Sequence, residues 1–369
     1  MCGVDIDRWL LCYNEINYLL MFNLFGSKSK LGIDIGTASI KVVELENNNN
    51  RFALKNYGLF EMKSDKNVPT GEQSILKLPD SEIIWGIKEV LAKSKITGRD
   101  VIASIPAFST FATVISMPYL SEDELAKAIP FEARKYVPIP LEEVVLDWSI
   151  IGVTGEGARP TVEIFLAAVP KDETVRYQNI MAGAGLNLKA LELENSALIR
   201  ALLGNDLAPT AIINIGGRST SIVIVSKGYE RLSHNYEVGG FEITKSISRS
   251  LNISLDKADE LKKRLGMKPT DENIINEAMS SLIDMMAFET KKTMSSFENA
   301  RGEKVARVLL VGGMVNMPNF LNYFKQKLGQ EVFAGNAFAR IVYPAGLAPA
   351  IGELASTFAV AAGLAMRDI

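Results

Sequence analysis

Two short stretches of the chain carry residue types suited to holding phosphate. Residues 31–45 read LGIDIGTASIKVVEL: an apolar strand, a sharp turn at Gly36-Thr37 and a second, alternating strand. Asp34 ends the first strand, and the turn through Ala38 and Ser39 supplies small residues, hydroxyls and bare backbone N–H groups. Lys41 follows on the second strand. N–H groups and a hydroxyl suit phosphate oxygens, an ammonium suits their charge, and a carboxylate suits a metal ion's water shell. The pattern recurs at 212–225, IINIGGRSTSIVIV, where Asn214, Gly216 and Ser219 match Asp34, Gly36 and Ser39, each pair 180 positions apart. One Gly-Thr hairpin is usually only a hairpin. A repeat at this spacing points to a duplicated domain with two phosphate-facing hairpins across one cleft.

The elements that must position these hairpins follow from hydrophobic period and breaker residues. After a polar turn at 47–50, residues 51–60 form the third strand of a meander, and 63–79 lack periodicity and read as a loop. Ser81 caps a helix to about Lys93, with Ile83, Ile84, Ile87, Val90 and Leu91 on one face. A buried strand at 101–105 ends at Pro106. Residues 111–193 read β-α-β-β-α-β, with a capping box at Ser121 and Glu124 and a helix that Pro130 kinks or shortens before Tyr136. A proline-rich corner leads into the next strand, 152–159 is a hairpin loop, and 161–169, 171–184 and 186–193 are strand, helix and strand. That order describes a small α+β insertion of roughly 75 residues.

In the second half a helix at 195–203 leads to the Asn214 hairpin, and a third strand at 229–238 reaches Gly239-Gly240. Helices follow at 241–251 and 255–265, then one long helix at 271–297 whose Met-rich face reads as core. A buried strand at 308–311 opens into GGMVNMPNF, before a helix at about 318–328 and a closing helix at 353–366.

The chain has 369 residues, 47% hydrophobic and 22% charged, with a net charge of −3. That length suits two to three domains with packed cores, and there is no basic stripe for nucleic acid. Cys2 and Cys12 lie without metal-ligand spacing, so neither a disulfide framework nor a zinc site is expected, and a cytoplasmic location is the default. No run of 18 apolar residues occurs. Residues 9–25 are apolar-rich but interrupted by Asn14, Glu15, Asn17 and Asn23, which fits neither a spanning helix nor a signal peptide. Residues 1–29 therefore read as an extension, with Met21 as an alternative start. The favoured reading is a disordered end rather than a membrane-surface segment aided by Lys28 and Lys30. His234, the single histidine, is given no role.

Together these pieces resemble the actin/Hsp70/sugar-kinase superfamily of ATP-binding proteins over nearly the whole chain. Asp34-Ile35-Gly36-Thr37 with Lys41 is similar to its first phosphate motif, and Asn214-Ile215-Gly216-Gly217 to its second. Residues 309–316 (LLVGGMVN) resemble its adenosine motif, and Ala361, Ala362 and Gly363 its final connecting helix. The resemblance implies an α/β, duplicated actin/Hsp70-like (ribonuclease H-like) ATPase fold with two lobes around a nucleotide cleft. The first lobe would take 30–110 and 188–208, the inserted α+β subdomain 111–187, and the second lobe 209–369 with a helical subdomain at 241–305.

By position, the resemblance implies that Gly36, Thr37, Ala38 and Lys41 contact the phosphates of ATP or ADP, with Asp34 and Asn214 holding Mg2+ through water. Gly216, Gly217, Arg218 and Ser219 would form the opposing clamp, and Gly312, Gly313 and Met314 would approach adenine and ribose. Gly239 and Gly240 would line the cleft, and Asp259 and Lys262 would touch the ribose unless they sit on a solvated helix face. Asn214 departs from the motif, where Asp is usual. Asn can accept from a metal-bound water but cannot act as a base. Asn195, near the place where hydrolysing relatives orient water, is no stronger, so binding with weak or absent hydrolysis and no catalytic residue is expected.

The insertion narrows the family. Residues 115–152, ISMPYLSEDELAKAIPFEARKYVPIPLEEVVLDWSIIG, resemble the extra subdomain of the PilM family of type IV pilus assembly, as does a beginning at MFNLFGSKSK. The related FtsA family normally adds a C-terminal amphipathic tail, which is not seen before Ile369. The resemblance implies an ATP-binding adaptor, peripheral on the inner face of the cytoplasmic membrane. It would hold the N-terminal cytoplasmic segment of PilN in a groove beside the insertion, and couple to the PilN/PilO complex and the pilus motor ATPase. The alternatives are an FtsA-like filament former and a small-molecule kinase; the apolar, proline-rich insertion argues for a protein partner over a kinase substrate.

Overall fold

Alternating apolar and polar residues make the start of the chain a meander: β1 (Ser29–Ile35), β2 (Ser39–Asn48) and β3 (Arg51–Glu61). All three are antiparallel, with Asp34 opposite Lys41 and Ile35 opposite Ile40. The computed structural model describes residues 29–48, 51–62, 79–154, 160–268 and 274–368. The N-terminal extension to residue 28 lies outside the described residues, as do the tip of the 47–50 turn, the loop at 63–78, most of the 152–159 hairpin loop and the expected start of the long helix. Helix α1 (Asp80–Lys93) begins without the Ser81 side-chain cap expected from the sequence. The Pro79 carbonyl takes the N–H groups of Glu82 and Ile83 instead, and Asp80 and Glu82 favour the first turn. It leads to β4 (Asp100–Ile105), parallel to β1 with Ala103 opposite Ile33.

The insertion opens with β5 (Phe111–Pro118) and α2 (Glu122–Ala133). Glu124 reaches back to accept the Ser121 N–H at 2.9 Å, the reciprocal half of the capping box. Pro130 lies on the exposed side and the helix runs past it to Ala133, short of Tyr136 as expected. Strands β6 (Val144–Thr154) and β7 (Thr161–Pro170) complete a three-stranded antiparallel sheet in the order β5-β7-β6. Here the structure corrects the six-element reading. Helix α3 (Lys171–Gly183) packs on α1, with Arg176 Nε 2.7 Å from Asp80 and Ile180 and Met181 in one core with Ile83 and Ile87. Strand β8 (Asn187–Leu193) then pairs parallel with β4. Local periodicity gives both elements but not their places: α3 packs in the core of the first sheet and β8 joins that sheet.

Helix α4 (Glu194–Leu202) leaves the first lobe, and the second repeats the plan: β9 (Thr210–Ile215), β10 (Thr220–Ser226) and β11 (Tyr229–Tyr236) form another meander. Helices α5 (Gly240–Leu251), α6 (Leu255–Leu265) and α7 (Ile274–Arg301) follow. Met279, Met286 and Met294 of α7 are buried with Ile247 and Ile283, so the Met-rich face is core. Strand β12 (Arg307–Val311) lies parallel to β9, and α8 (Phe320–Leu328) returns the chain to β13 (Val332–Ala334). Strand β14 (Ile341–Val342) crosses back to β3. The sheet orders β3-β2-β1-β4-β8 and β11-β10-β9-β12-β13 match strand for strand, and β14 adds one edge strand to the first. The duplication read at the hairpins therefore extends through both sheets.

The closing helix is two helices, α9 (Ile351–Thr357) and α10 (Ala359–Ala365). The Ala355 and Ser356 carbonyls accept the Ala337 and Gly312 N–H groups, which withdraws them from the helical ladder at Phe358. The buried Phe358 ring packs edge-on against Tyr57, centroids 5.6 Å apart. Helix α10 lies close against β1 and α4: a Cβ on Gly32 would fall 2.2 Å from the Ala361 carbonyl oxygen, and one on Gly363 2.0 Å from that of Ala197. Only glycine fits these crossings. The insertion is tied to the second lobe by Glu163 of β7, whose carboxylate accepts from Arg231 at 2.9 Å and Arg301 at 2.6 Å.

Candidate functional site

The hairpin turns close identically: Gly36 N–H donates to the Ser39 carbonyl at 3.0 Å and Gly216 N–H to that of Ser219 at 2.9 Å. Their tips meet. Arg218 N–H donates to the Thr37 hydroxyl at 3.1 Å, and a Cβ on Gly217 would stand 2.4 Å from that of Ala38. Within the first hairpin Lys41 Nζ lies 3.1 Å from Asp34 Oδ2, while Ser104 donates to Asp34 Oδ1 at 3.3 Å. In the second, Asn214 Nδ2 donates to Glu194 Oε1 at 2.5 Å.

Glu194 is the residue that sequence reasoning missed. It starts α4 at the end of β8, and its other oxygen accepts the Ala107 N–H at 3.3 Å. Burial, then the negative charge of Asp34, push its carboxyl up to about 7, against the Ala107 N–H, Lys41 and Asn214. Asp34, Ser104 and Glu194 all stand at the carboxyl ends of parallel strands β1, β4 and β8, where open α/β sheets gather ligands. Its signal was therefore topological. Asn195, the neighbour weighed for orienting water, turns instead toward Glu230.

The remaining expected residues fall into two groups. Gly240 and Phe241 donate their N–H groups to the Gly216 and Gly217 carbonyls at 3.0 and 2.7 Å, so Gly239 and Gly240 brace the second hairpin from behind. The Arg218 guanidinium lies 4.0 Å from the Phe241 ring centroid, which places that side chain on α5. Lys262 is buried and bonded to the Gly240 carbonyl at 3.1 Å, Thr244 at 2.7 Å and Asp259 at 2.7 Å. The solvated-face alternative is thereby excluded for Lys262. Burial lowers its pKa, opposed by Asp259. Burial would raise Asp259, but the hydrogen bonds and charges of Lys262 and Lys263 hold it below its usual range.

In the third motif Gly312 has φ +98, a Cβ there would meet the Ile215 carbonyl at 2.1 Å, and its N–H donates to Ser356 at 3.0 Å. Met314 is buried beside Gly240, and Gly313 has open space on its Cβ side. Gly313 and Asn316 are the exposed residues of this motif.

The donor set suits a phosphate chain: backbone N–H groups on two glycine-containing turns, a hydroxyl and an ammonium. Asp34 and Asn214 offer oxygens for a hydrated Mg2+, which takes one or two carboxylates and keeps its waters. Among the described residues no cluster of three or more His, Cys, Asp or Glu side chains could hold a metal on its own.

Comparison with known proteins bears on the family and the fold. The family model described as "Type IV pilus assembly protein PilM" matches residues 32–369. The cell division protein FtsA of Enterococcus faecalis is 23% identical over 348 residues, covering 83% of this chain and 77% of its own. Among solved structures, the PilM-PilN type IV pilus biogenesis complex superposes with a TM-score of 0.78 at 23% identity, covering 93% of this chain and 99% of that one. MreB5 of Spiroplasma citri bound to ADP gives 0.50 at 13% identity, covering 91% and 95%. The fold is actin-like.

Proposed function

The chain belongs to the type IV pilus assembly protein PilM family, and from that premise we propose that it is an ATP-binding adaptor of a pilus assembly machine. The observation that carries the nucleotide part is the tip-to-tip pairing of two hairpins related by duplication, with Lys41 and Asp34 beneath one and Asn214 beneath the other. ATP or ADP would place its phosphates against Gly36, Thr37, Ala38, Lys41 and Gly216 to Ser219, with Mg2+ near Asp34 and Asn214. Bound ATP would supply a γ-phosphoryl group for transfer to water, with ADP as the leaving group. The protein supplies donors and, in Glu194, a carboxylate between the hairpins able to hold a proton near neutral pH. Both Glu194 oxygens already accept hydrogen bonds and Asn214 brings no charge, so slow hydrolysis fits best. A single-turnover phosphate release of about 1 s⁻¹ or faster would contradict it.

The partner part rests on the family and on the insertion clamped at Glu163. The adaptor would hold the N-terminal cytoplasmic segment of PilN, and through it meet PilO and the motor ATPase at the inner face of the cytoplasmic membrane. No helix among the described residues is long and apolar enough to cross a membrane, which is compatible with a peripheral seat. A pull-down from a membrane fraction tests this, with and without ATP. Recovery of a small bitopic protein with a short cytoplasmic segment is expected; failure in both conditions counts against the adaptor.

A further inference from the structure

Position in the sequence puts Lys262 at the ribose, but its surroundings in the fold point elsewhere. An ammonium has three N–H donors. Lys262 Nζ already has three acceptors: the Gly240 carbonyl at 3.1 Å, the Thr244 hydroxyl at 2.7 Å and the Asp259 carboxylate at 2.7 Å. The residue is 8% exposed. No donor is left for a ribose hydroxyl. Asp259 is held in turn, with Oδ1 3.3 Å from the Thr244 hydroxyl and Oδ2 3.0 Å from Lys263 Nζ.

A buried ammonium beneath the first turn of a helix also faces the positive end of its dipole, and Asp259 offsets that cost. A buried ion pair is weak ground for stability by itself. What this one holds is the start of α5. Thr244 donates to the same Gly240 carbonyl at 3.0 Å. The Gly240 and Phe241 N–H groups, which lack partners within their own helix, donate to the Gly216 and Gly217 carbonyls at 3.0 and 2.7 Å. In a planar trans peptide the carbonyl and the next N–H point in opposite directions. Tying those two carbonyls to α5 therefore turns the N–H groups of Gly217 and Arg218 the other way. The Arg218 N–H shows it, reaching the Thr37 hydroxyl of the first hairpin at 3.1 Å. Two adjacent glycines have no side chains to fix these peptide planes, so the helix start has to do it.

We propose that Lys262 is a positioning residue. With Asp259 and Thr244 it locks the first turn of α5, and through that turn it aims the Gly217 and Arg218 N–H groups at a phosphate chain. It does not touch the ribose. The identity of the ligand rests on the nucleotide reading, whereas the lock belongs to the unliganded chain.

Amide exchange of the unliganded full chain and of Lys262→Met tests the lock, and calorimetry with Mg2+ and ATP, 2′-deoxyATP or tripolyphosphate tests its use. Exchange at Gly240, Phe241 and Arg218 should rise in the variant. Affinity for ATP and for tripolyphosphate should fall together by roughly tenfold, with the ratio of ATP to 2′-deoxyATP affinity unchanged. Thr244→Val removes one partner and keeps the ammonium, so it should move the same readouts in the same direction by a smaller factor. It decides the matter if Lys262→Met fails to fold. An altered ratio of ATP to 2′-deoxyATP with tripolyphosphate affinity intact marks a ribose contact and overturns the proposal. Unchanged exchange at all three amides also overturns it. Absence of binding by the unaltered chain contradicts the nucleotide reading alone, and the exchange rates then decide the lock.

Discussion

Arg218 and Thr37 stand 181 positions apart in sequence, yet the backbone N–H of one donates to the hydroxyl of the other at 3.1 Å. The bond joins the two hairpin tips, and Gly217 makes it possible by leaving no side chain against Ala38. A phosphate chain seated between the tips has to take over these donors.

Gly217→Val should therefore keep the fold and lose the closed tips. The added side chain meets Ala38 at less than contact distance, and the bond to Thr37 opens. Amide exchange at Arg218 should rise, and ATP affinity should fall by roughly tenfold or more, about 1.4 kcal/mol. Unchanged exchange at Arg218 would mean that the tips are not held by this contact.

Glu163 bridges the insertion to Arg231 and Arg301 of the second lobe. Glu163→Gln leaves the Arg231 guanidinium, which burial already disfavours, without its counter-charge. Breaking a buried pair from one side costs about 3–5 kcal/mol. Urea unfolding should show a loss of that order, and a loss below about 1 kcal/mol would mark the bridge as a surface pair.

Protonation adds a second handle. Burial and Asp34 raise the Glu194 carboxyl from 4.5 to about 7, and burial raises Asp147 from 3.8 to about 6. A carboxyl with a raised folded pKa contributes stability that is whole below its unfolded pKa and lost as pH climbs through the folded one. The nucleotide-free protein should thus weaken between pH 5 and pH 8. Glu194→Gln should recover on the order of 3 kcal/mol at pH 8 and flatten that part of the profile. A stability that is level across this range, or a variant weaker at pH 8, would contradict the assignment.

What could be read in the sequence was what is local. Asp34, Gly36 and Ser39 announce their hairpin through strand period and turn chemistry, and Asn214, Gly216 and Ser219 announce the duplication. Glu194 gave no such signal: one acidic residue after a strand becomes a site residue only when β8 is known to lie beside β4. The same gap hid the packing of α3 against α1 in the first lobe. The break at Phe358 was hidden because Ser356 gives its carbonyl to Gly312, 44 positions earlier. Strands β13 and β14, three and two residues long, are too short to carry a period. Lys262 was open between a ribose contact and a solvated helix face, and its burial depends on Gly240 and Thr244 of the preceding helix.

Titration calorimetry of ATP with Mg2+ against the unaltered chain and Lys41→Ala tests the central claim most directly. Lys41 is the ammonium aligned with Asp34 at the base of the first hairpin. Saturable 1:1 binding is predicted, at least tenfold weaker in a Lys41→Ala protein whose far-ultraviolet dichroism is unchanged. Absence of binding at millimolar ATP, or equal affinity in the two proteins, would contradict a nucleotide site between the hairpins.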